Sequence, residues 1–205
     1  MDLAISTGAQ GLMWAILSLG VFLSFRILDV PDMTCEGSFP LGGAIAATMV
    51  VAGVSPWLAI VAAVIGGMVA GAVTGILYTK LKIPAILAGI LTMIALYSIN
   101  LHIMGKANVS LLRTDTIFRL ASRFLDCGSS VAALVVSGGL ILVLVLWVYS
   151  FFGTELGMCI RATGFNVHMM RAQGVNTDTM TILGLLLSNG LISACGAVAA
   201  QNNGF

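Results

Sequence analysis

Charge is what this chain has least of. Its 205 residues include 9 Lys+Arg and 8 Asp+Glu, 8% of the total, where soluble domains carry about 25%. With 59% hydrophobic residues, it lacks the polar surface of an ordinary soluble protein. Catalytic vocabulary is equally thin. The two histidines, His102 and His168, stand alone, without a metal-ligand partner at helical spacing. The four cysteines, Cys35, Cys127, Cys159 and Cys195, are far apart and read as packing residues. No Gly-x-Ser-x-Gly elbow, His-Glu-x-x-His pair or Gly-x-x-x-x-Gly-Lys-Ser/Thr loop occurs, and no carboxylate pair lies within an apolar run. The chain therefore reads as a non-enzyme with no cofactor or metal of its own. A net charge of +1 says nothing about nucleic acid, and with no basic run present no nucleic-acid partner is expected. Asp2 and a full-length first apolar run do not make a cleavable signal peptide.

The few charges are placed with a pattern. None falls between Asp2 and Arg26, Glu36 and Lys80, Lys82 and Lys106, Asp126 and Glu155, or after Asp178. A charge at the centre of a bilayer costs about 2.5–3.5 kcal/mol on insertion scales, so lipid selects such gaps. The second gap is about twice one span long, and Gly53-Val-Ser-Pro56 breaks it in the middle. Six spans are expected, near 6–25, 38–53, 57–79, 84–105, 131–152 and 179–200, each close to the ~20 residues that cross the hydrocarbon core. The fold class is all-α, a polytopic transmembrane bundle, and 1–205 reads as a single transmembrane domain. Trp57, Trp147 and Tyr149 sit where interfacial anchors belong.

Gly67, Gly71 and Gly75 repeat every four residues in the third span, giving one flat face for close helix contact. Packing inside the chain is favoured over a subunit interface. Gly42-Gly43-Ala44 and Ser193, Gly196 and Ala197 fit the same tight packing. Arg26, Lys80, Lys82, Arg161 and Arg171 fall on one side of the membrane; Lys106, Arg113, Arg119 and Arg123 fall on the other. The first set, with two short basic turns, is taken as cytoplasmic, which puts the N-terminus outside.

Three polar segments exceed what a connector needs. Residues 153–178 form a polar island of some 26 residues, where about six would join two spans. Asn166 caps a short helix over Val167–Gln173, Gly174 supplies a left-handed exit and Thr177 caps the next span. Exposed Val167, Met169 and Met170 between Arg161 and Arg171 make this a docking surface for another protein. The second segment, 26–40, holds Asp29, Asp32, Thr34, Glu36, Gly37 and Ser38 with two prolines, and Ser38 with Pro40 reads as a helix start. It is either a discontinuous helix near 29–40 facing a translocation pathway or an ordinary acidic turn. In the third, Ile117, Leu120, Ala121 and Phe124 share one face of an amphipathic helix capped by Thr114, with Arg119, Arg123, Asp115 and Asp126 on or near the other. Within the spans, Asn100, His102, Ser188 and Asn189 are the strongly polar candidates for a pathway, although interhelical hydrogen bonding is the commoner use of such residues.

The motifs Arg26-Ile-Leu-Asp29-Val-Pro-Asp32-Met-Thr34-Cys-Glu36-Gly37-Ser38-Phe-Pro-Leu-Gly42 and Arg161-Ala162-Thr-Gly164-Phe-Asn166, followed by Gly174-Val-Asn176, resemble those of permease subunits of ABC importers of the branched-chain amino acid and ribose type. The likeness is greatest to permeases paired with amino-acid-like lipoprotein receptors. It implies a homodimeric or heterodimeric permease in the plasma or inner membrane and a separate ATPase subunit that binds ATP. It also implies an extracellular or periplasmic solute-binding protein, and an amino-acid-like solute. Coupling to the ATPase would fall to Arg161, Gly164, Asn166, Val167, Met169, Met170, Arg171, Gly174 and Asn176. The resemblance also implies roughly three further spans, so a chain ending at Phe205 is expected to be a truncated or shortened subunit, inactive or unstable alone. Two other readings stand beside this one: a self-contained secondary transporter or channel using Asp29, Asp32 and Glu36, and a non-transporting scaffold subunit.

Overall fold

The computed structural model describes residues 2–106, 109–111, 116–125 and 129–204, and every regular element among them is helical. Nine α-helices follow in order: α1 Asp2–Phe22, α2 Cys35–Val51, α3 Pro56–Thr79, α4 Ala85–Met104, α5 Ile117–Leu125, α6 Ser129–Phe152, α7 Glu155–Phe165, α8 Val167–Ala172 and α9 Thr177–Asn203. A π-helical turn, Leu23–Ile27, continues α1.

Among the described residues, five helices are long and apolar enough to cross a membrane: α1 with its π turn, α3, α4, α6 and α9. The remaining expected span, 38–53, corrects to α2, a 17-residue helix about 26 Å long. It starts three residues before Ser38. Thr34 opens it, its carbonyl accepting from Gly37 N at 2.9 Å and Ser38 N at 2.8 Å. Ser38 does not act as the cap, and Pro40 lies inside the helix.

Helix α9 is the axle. In its apolar stretch 72% of residues are buried, against 22–33% in the other four membrane-length helices. The reason is side-chain size. A Cβ on Gly67 would strike Asn189 O and Ser193, and one on Gly71 would strike Leu185 O. On Gly75 it would lie 3.0 Å from Ile182 Cα. The glycine stripe of α3 therefore packs inside the chain, as expected. On the other flank, a Cβ on Gly42 of α2 would meet Ser193 O, and one on Gly196 of α9 would meet Phe39 O. Backbone rests on backbone at both seams, the geometry that small residues permit in lipid.

The polar residues in the middle of α9 turn inward. Ser188 Oγ donates to Gly20 O at 2.8 Å, Ser193 Oγ to Ala63 O at 2.6 Å and Cys195 Sγ to Met13 O at 3.1 Å. Helix α6 packs on α1 through Ala133 and leaves Leu142, Val143 and Leu146 exposed, as a lipid-facing surface requires. Gly53, at φ +85°, makes the break before Pro56 opens α3.

Helix α5 falls in the third polar segment, where Ile117 and Phe118 are buried and Leu120 is exposed. The expected cap Thr114, with Asp115, Asp126, Arg113 and Cys127, lies outside the described residues. Thr116 Oγ1 accepts from Arg119 N at 3.4 Å instead.

Candidate functional site

Where α1 ends, the chain stops being regular before α2 begins. The π turn sends Leu28 N to Leu23 O and Val30 N to Ser24 O, both at 3.0 Å. Asp29 then takes φ +55°, a left-handed conformation that Asp tolerates better than most residues. The acidic segment is thus a break between two helices.

Asp32 lies at its centre and is 1% exposed. Its Oδ1 accepts from Thr34 N at 2.8 Å and its Oδ2 from Asn189 Nδ2 at 2.7 Å. Asn189, on α9, accepts from Ser38 Oγ through Oδ1 at 2.7 Å and donates a second time to Leu185 O at 3.0 Å. Beside it the hydroxyls of Thr34, Thr74 and Thr92 stand 2.8 and 2.9 Å apart. Thr92 donates on to Ala88 O at 3.0 Å, and Thr74 Oγ1 also reaches Ala70 O at 3.2 Å. Four segments, α2 with the preceding break, α3, α4 and α9, meet in this buried polar cluster. Among the described residues no Lys, Arg or His lies within ion-pair distance of Asp32. Neutral donors alone hold the carboxylate, and burial is tolerable only because they do.

Of the expected pathway residues, Asp32, Thr34, Ser38 and Asn189 are brought together, and Gly37 packs beside them against Leu96 and Met93 of α4. Asp29 and Glu36 are exposed and outside the cluster. Asn100 is buried on α4 with Oδ1 unpartnered, apart from the cluster. Thr74 and Thr92 were missed by sequence reasoning. Their signal was position: each falls on the small-residue face of its helix, Thr74 beside Gly75 and Thr92 one turn after Ala88.

The polar island is a helix, a kink and a second helix. Thr154 caps α7, accepting from Gly157 N at 3.3 Å. Asn166, in extended conformation, ends α7 and caps α8, accepting from Met169 N at 3.0 Å. Gly174 takes φ +81°, as expected for a left-handed exit. The next cap is Asn176, which accepts from Thr179 N at 3.3 Å. That corrects the assignment to Thr177, whose buried hydroxyl instead accepts from Arg171 Nε at 2.9 Å. Arg171 also reaches Asp178 at 3.3 Å.

Met170 is a second correction. It is buried at 4% exposure, because a six-residue helix lying on the bundle must turn one side chain under itself. Val167, Met169 and Arg161 remain exposed. The most exposed apolar side chain of the region is Phe165, at 95%, which was not singled out in the sequence. Gly164 faces the other way, where a Cβ would collide with Ile27 O.

A polar cleft of about 330 Å³ lies among α1, α5 and the end of α9, lined by Ser6, Thr116, Arg119, Gln201 and Asn202 among others. No group of three or more metal-ligating side chains occurs among the described residues.

Comparison with known proteins places this architecture. Residues 4–203 match the family described as branched-chain amino acid transport system / permease component. The chain is 38% identical over 201 residues to the tyrosine transport system permease protein of Clostridioides difficile (strain R20291), covering 98% of this chain and 65% of that protein. It is 33% identical over 205 residues to the uncharacterized protein RP368 of Rickettsia prowazekii (strain Madrid E), 100% of this chain and 70% of that one. It is 29% identical over 191 residues to the galactofuranose transporter permease protein YtfT of Escherichia coli (strain K12), 92% and 53% respectively. The chain thus spans from about half to just over two thirds of these relatives. No solved structure matches it. A multi-pass helical membrane protein whose length is matched almost end to end, it belongs to the family of permease components of branched-chain amino acid transport systems, the ABC-importer group its motifs resemble.

Proposed function

We propose that this chain is the permease subunit, or the greater part of one, of an ATP-driven importer for a small zwitterionic solute of the amino-acid class. The likeness to a tyrosine transport permease supports the solute class. The uncharged spans suit a molecule with little net charge. In this reading the chain works in a plasma or inner membrane with its N-terminus outside. Its partners are a second permease subunit, an extracellular solute-binding protein, and an ATPase that binds the nucleotide.

The observation that carries the reading is the α7–α8 unit. Phe165, Val167 and Met169 project from a capped helical corner outside the membrane-length helices, with Arg161 nearby. Apolar knobs on a rigid, capped corner are what a groove on a partner receives. Coupling then rests on Arg161, Phe165, Asn166, Val167 and Met169 at the surface. Gly164, Met170, Arg171, Gly174 and Asn176 hold the shape.

The pathway in this reading runs beside the Asp32–Asn189–Ser38 cluster, where α2 begins. Asp32 is also the one feature that speaks for an ion-coupled transporter, since a buried carboxylate is the group such a protein needs; family membership weighs against it. The test is co-expression with the cognate ATPase. Phe165→Asp should abolish co-purification of the ATPase and solute uptake while leaving the chain in the membrane. Unchanged capture and uptake would refute the docking role.

A further inference from the structure

The docking corner and the buried polar cluster are not separate. Gly164 of α7 lies so close to the π turn that a Cβ there would run into Ile27 O and stand 3.0 Å from the carbonyl carbon of Leu28. Leu28 and Val30 of the break share one buried apolar cluster with Ile160 of α7 and Leu185 of α9. One turn further along α9, Asn189 holds Asp32. A continuous path of close contacts therefore runs from the exposed face of α7, through the π turn and the break, to the carboxylate and the start of α2.

The middle of that path is its least regular part. The π turn, the left-handed Asp29 and the absence of helix from Leu28 to Thr34 make a segment with few internal hydrogen bonds. Beyond the apolar contacts of Leu28 and Val30, its side-chain hydrogen bonds to the bundle are Asp32–Asn189 and Thr34–Thr74. π turns and such breaks are where packed helices change register rather than deform evenly. The Asn189 amide that holds Asp32 also reaches the first turn of α2. The same amide holds Ser38, and Gly37 lies against α4 where a Cβ would be 3.1 Å from Met93 Cα.

We infer that Leu23–Thr34 is a transmission element, and that displacement of α7 is delivered through Ile27 and Leu28 to the Asp32–Asn189 bond, whose opening unseats the start of α2 from α9 and α4. Asp32 and Asn189 are positioning residues here. They act through α2, and the inference assigns them no contact with the solute. It rests on the reading of α7–α8 as the ATPase dock.

The decisive experiment uses the intact importer, this chain with its ATPase and receptor, reconstituted in lipid nanodiscs. Amide hydrogen exchange is followed over residues 28–37 without nucleotide and after trapping with ATP and vanadate. Exchange of 28–34 should differ between the two states by about tenfold or more, while mid-α3 stays unchanged. Asn189→Ala should erase that difference and raise the ATP hydrolysed per solute moved by about tenfold. Asp32→Asn should act in the same direction as Asn189→Ala, because its new amide faces Asn189 Nδ2 donor to donor, and a flipped Asn189 would set its Oδ1 against Leu185 O.

Exchange over 28–34 that is indifferent to nucleotide in the parent protein overturns the inference without any variant. So does a parental coupling ratio in Asn189→Ala. Failure of the parent chain to capture the ATPase would instead remove the underlying reading of α7–α8.

Discussion

Asn189 Nδ2 donates to Asp32 Oδ2 at 2.7 Å, joining α9 to the break across 157 residues of sequence. The same amide accepts from Ser38 at 2.7 Å. A carboxylate only accepts and a hydroxyl can do either, so the carboxylate fixes the amide's orientation and the amide sets the direction of the hydroxyl.

Removing the amide leaves Asp32 buried with one donor fewer. Asn189→Ala should cost about 1.5–3 kcal/mol, the worth of a hydrogen bond to a charged group. Ser38→Ala, which deletes a neutral donor, should cost about 0.5–1.5 kcal/mol. Chemical unfolding in detergent micelles checks the order. Equal losses in the two variants would mean that the Asp32 and Leu185 bonds add nothing to the Ser38 one.

Close backbone contact predicts a sharp contrast among glycines. Gly42→Ala and Gly196→Ala each place a methyl group against a carbonyl of the facing helix and should destabilise by about 1–3 kcal/mol or more. Gly11→Ala meets nothing within 4 Å and should be neutral or slightly stabilising. Thermal aggregation of the three variants, read by fluorescence-detected size exclusion, separates the outcomes.

Two adjacent methionines should behave oppositely. Met169 is 45% exposed and Met170 4%. Met169→Asp should leave the melting temperature close to the parent's and weaken ATPase capture. Met170→Asp buries an unpaired charge and should lower the yield of folded protein severely. Similar melting of the two variants would show that α8 does not lie on the bundle as described.

Arg171 is expected to matter for shape more than for attraction. Its guanidinium ties α8 to the start of α9 through Thr177 at 2.9 Å and Asp178 at 3.3 Å, with side chains 59% and 35% exposed in the ion pair. Such a pair is worth about 0–1 kcal/mol, so Arg171→Ala should barely move stability. ATPase capture should fall nonetheless, and Asp178→Asn should reproduce part of that fall. Parental capture in both variants would remove Arg171 from the coupling unit.

Much of this was legible because lipid imposes a simple rule. Charge-free runs gave every membrane helix, and the Gly67-Gly71-Gly75 spacing gave the face that α9 covers. Caps at Asn166 and the exit at Gly174 were readable because their chemistry is local. What failed depended on partners distant in sequence. Neither the burial of Met170 nor the membership of Thr74 and Thr92 follows from local pattern, since each is decided by the helix that comes to lie opposite. The choice of Asn176 over Thr177 as cap turned on Arg171 claiming the threonine hydroxyl. The length of α2 misled for a different reason: an apolar run bounds where a helix can lie in lipid but does not fix where it starts.

The inward turn of Ser188, Asn189 and Ser193 on α9 has a consequence for how the protein is made. Each helix that α9 packs against, α1, α2, α3, α5, α7 and α8, precedes it in the chain. During synthesis the glycine stripe of α3 and the carboxylate of Asp32 must therefore wait in the membrane without their partner. A late helix carrying Ser188, Asn189 and Ser193 in turn leaves the translocon most readily into a slot already lined with acceptors. Biogenesis of this protein has a vulnerable interval, after α4 has entered the bilayer and before α9 arrives. Membrane quality control should meet the chain in that interval, with its acidic break uncovered.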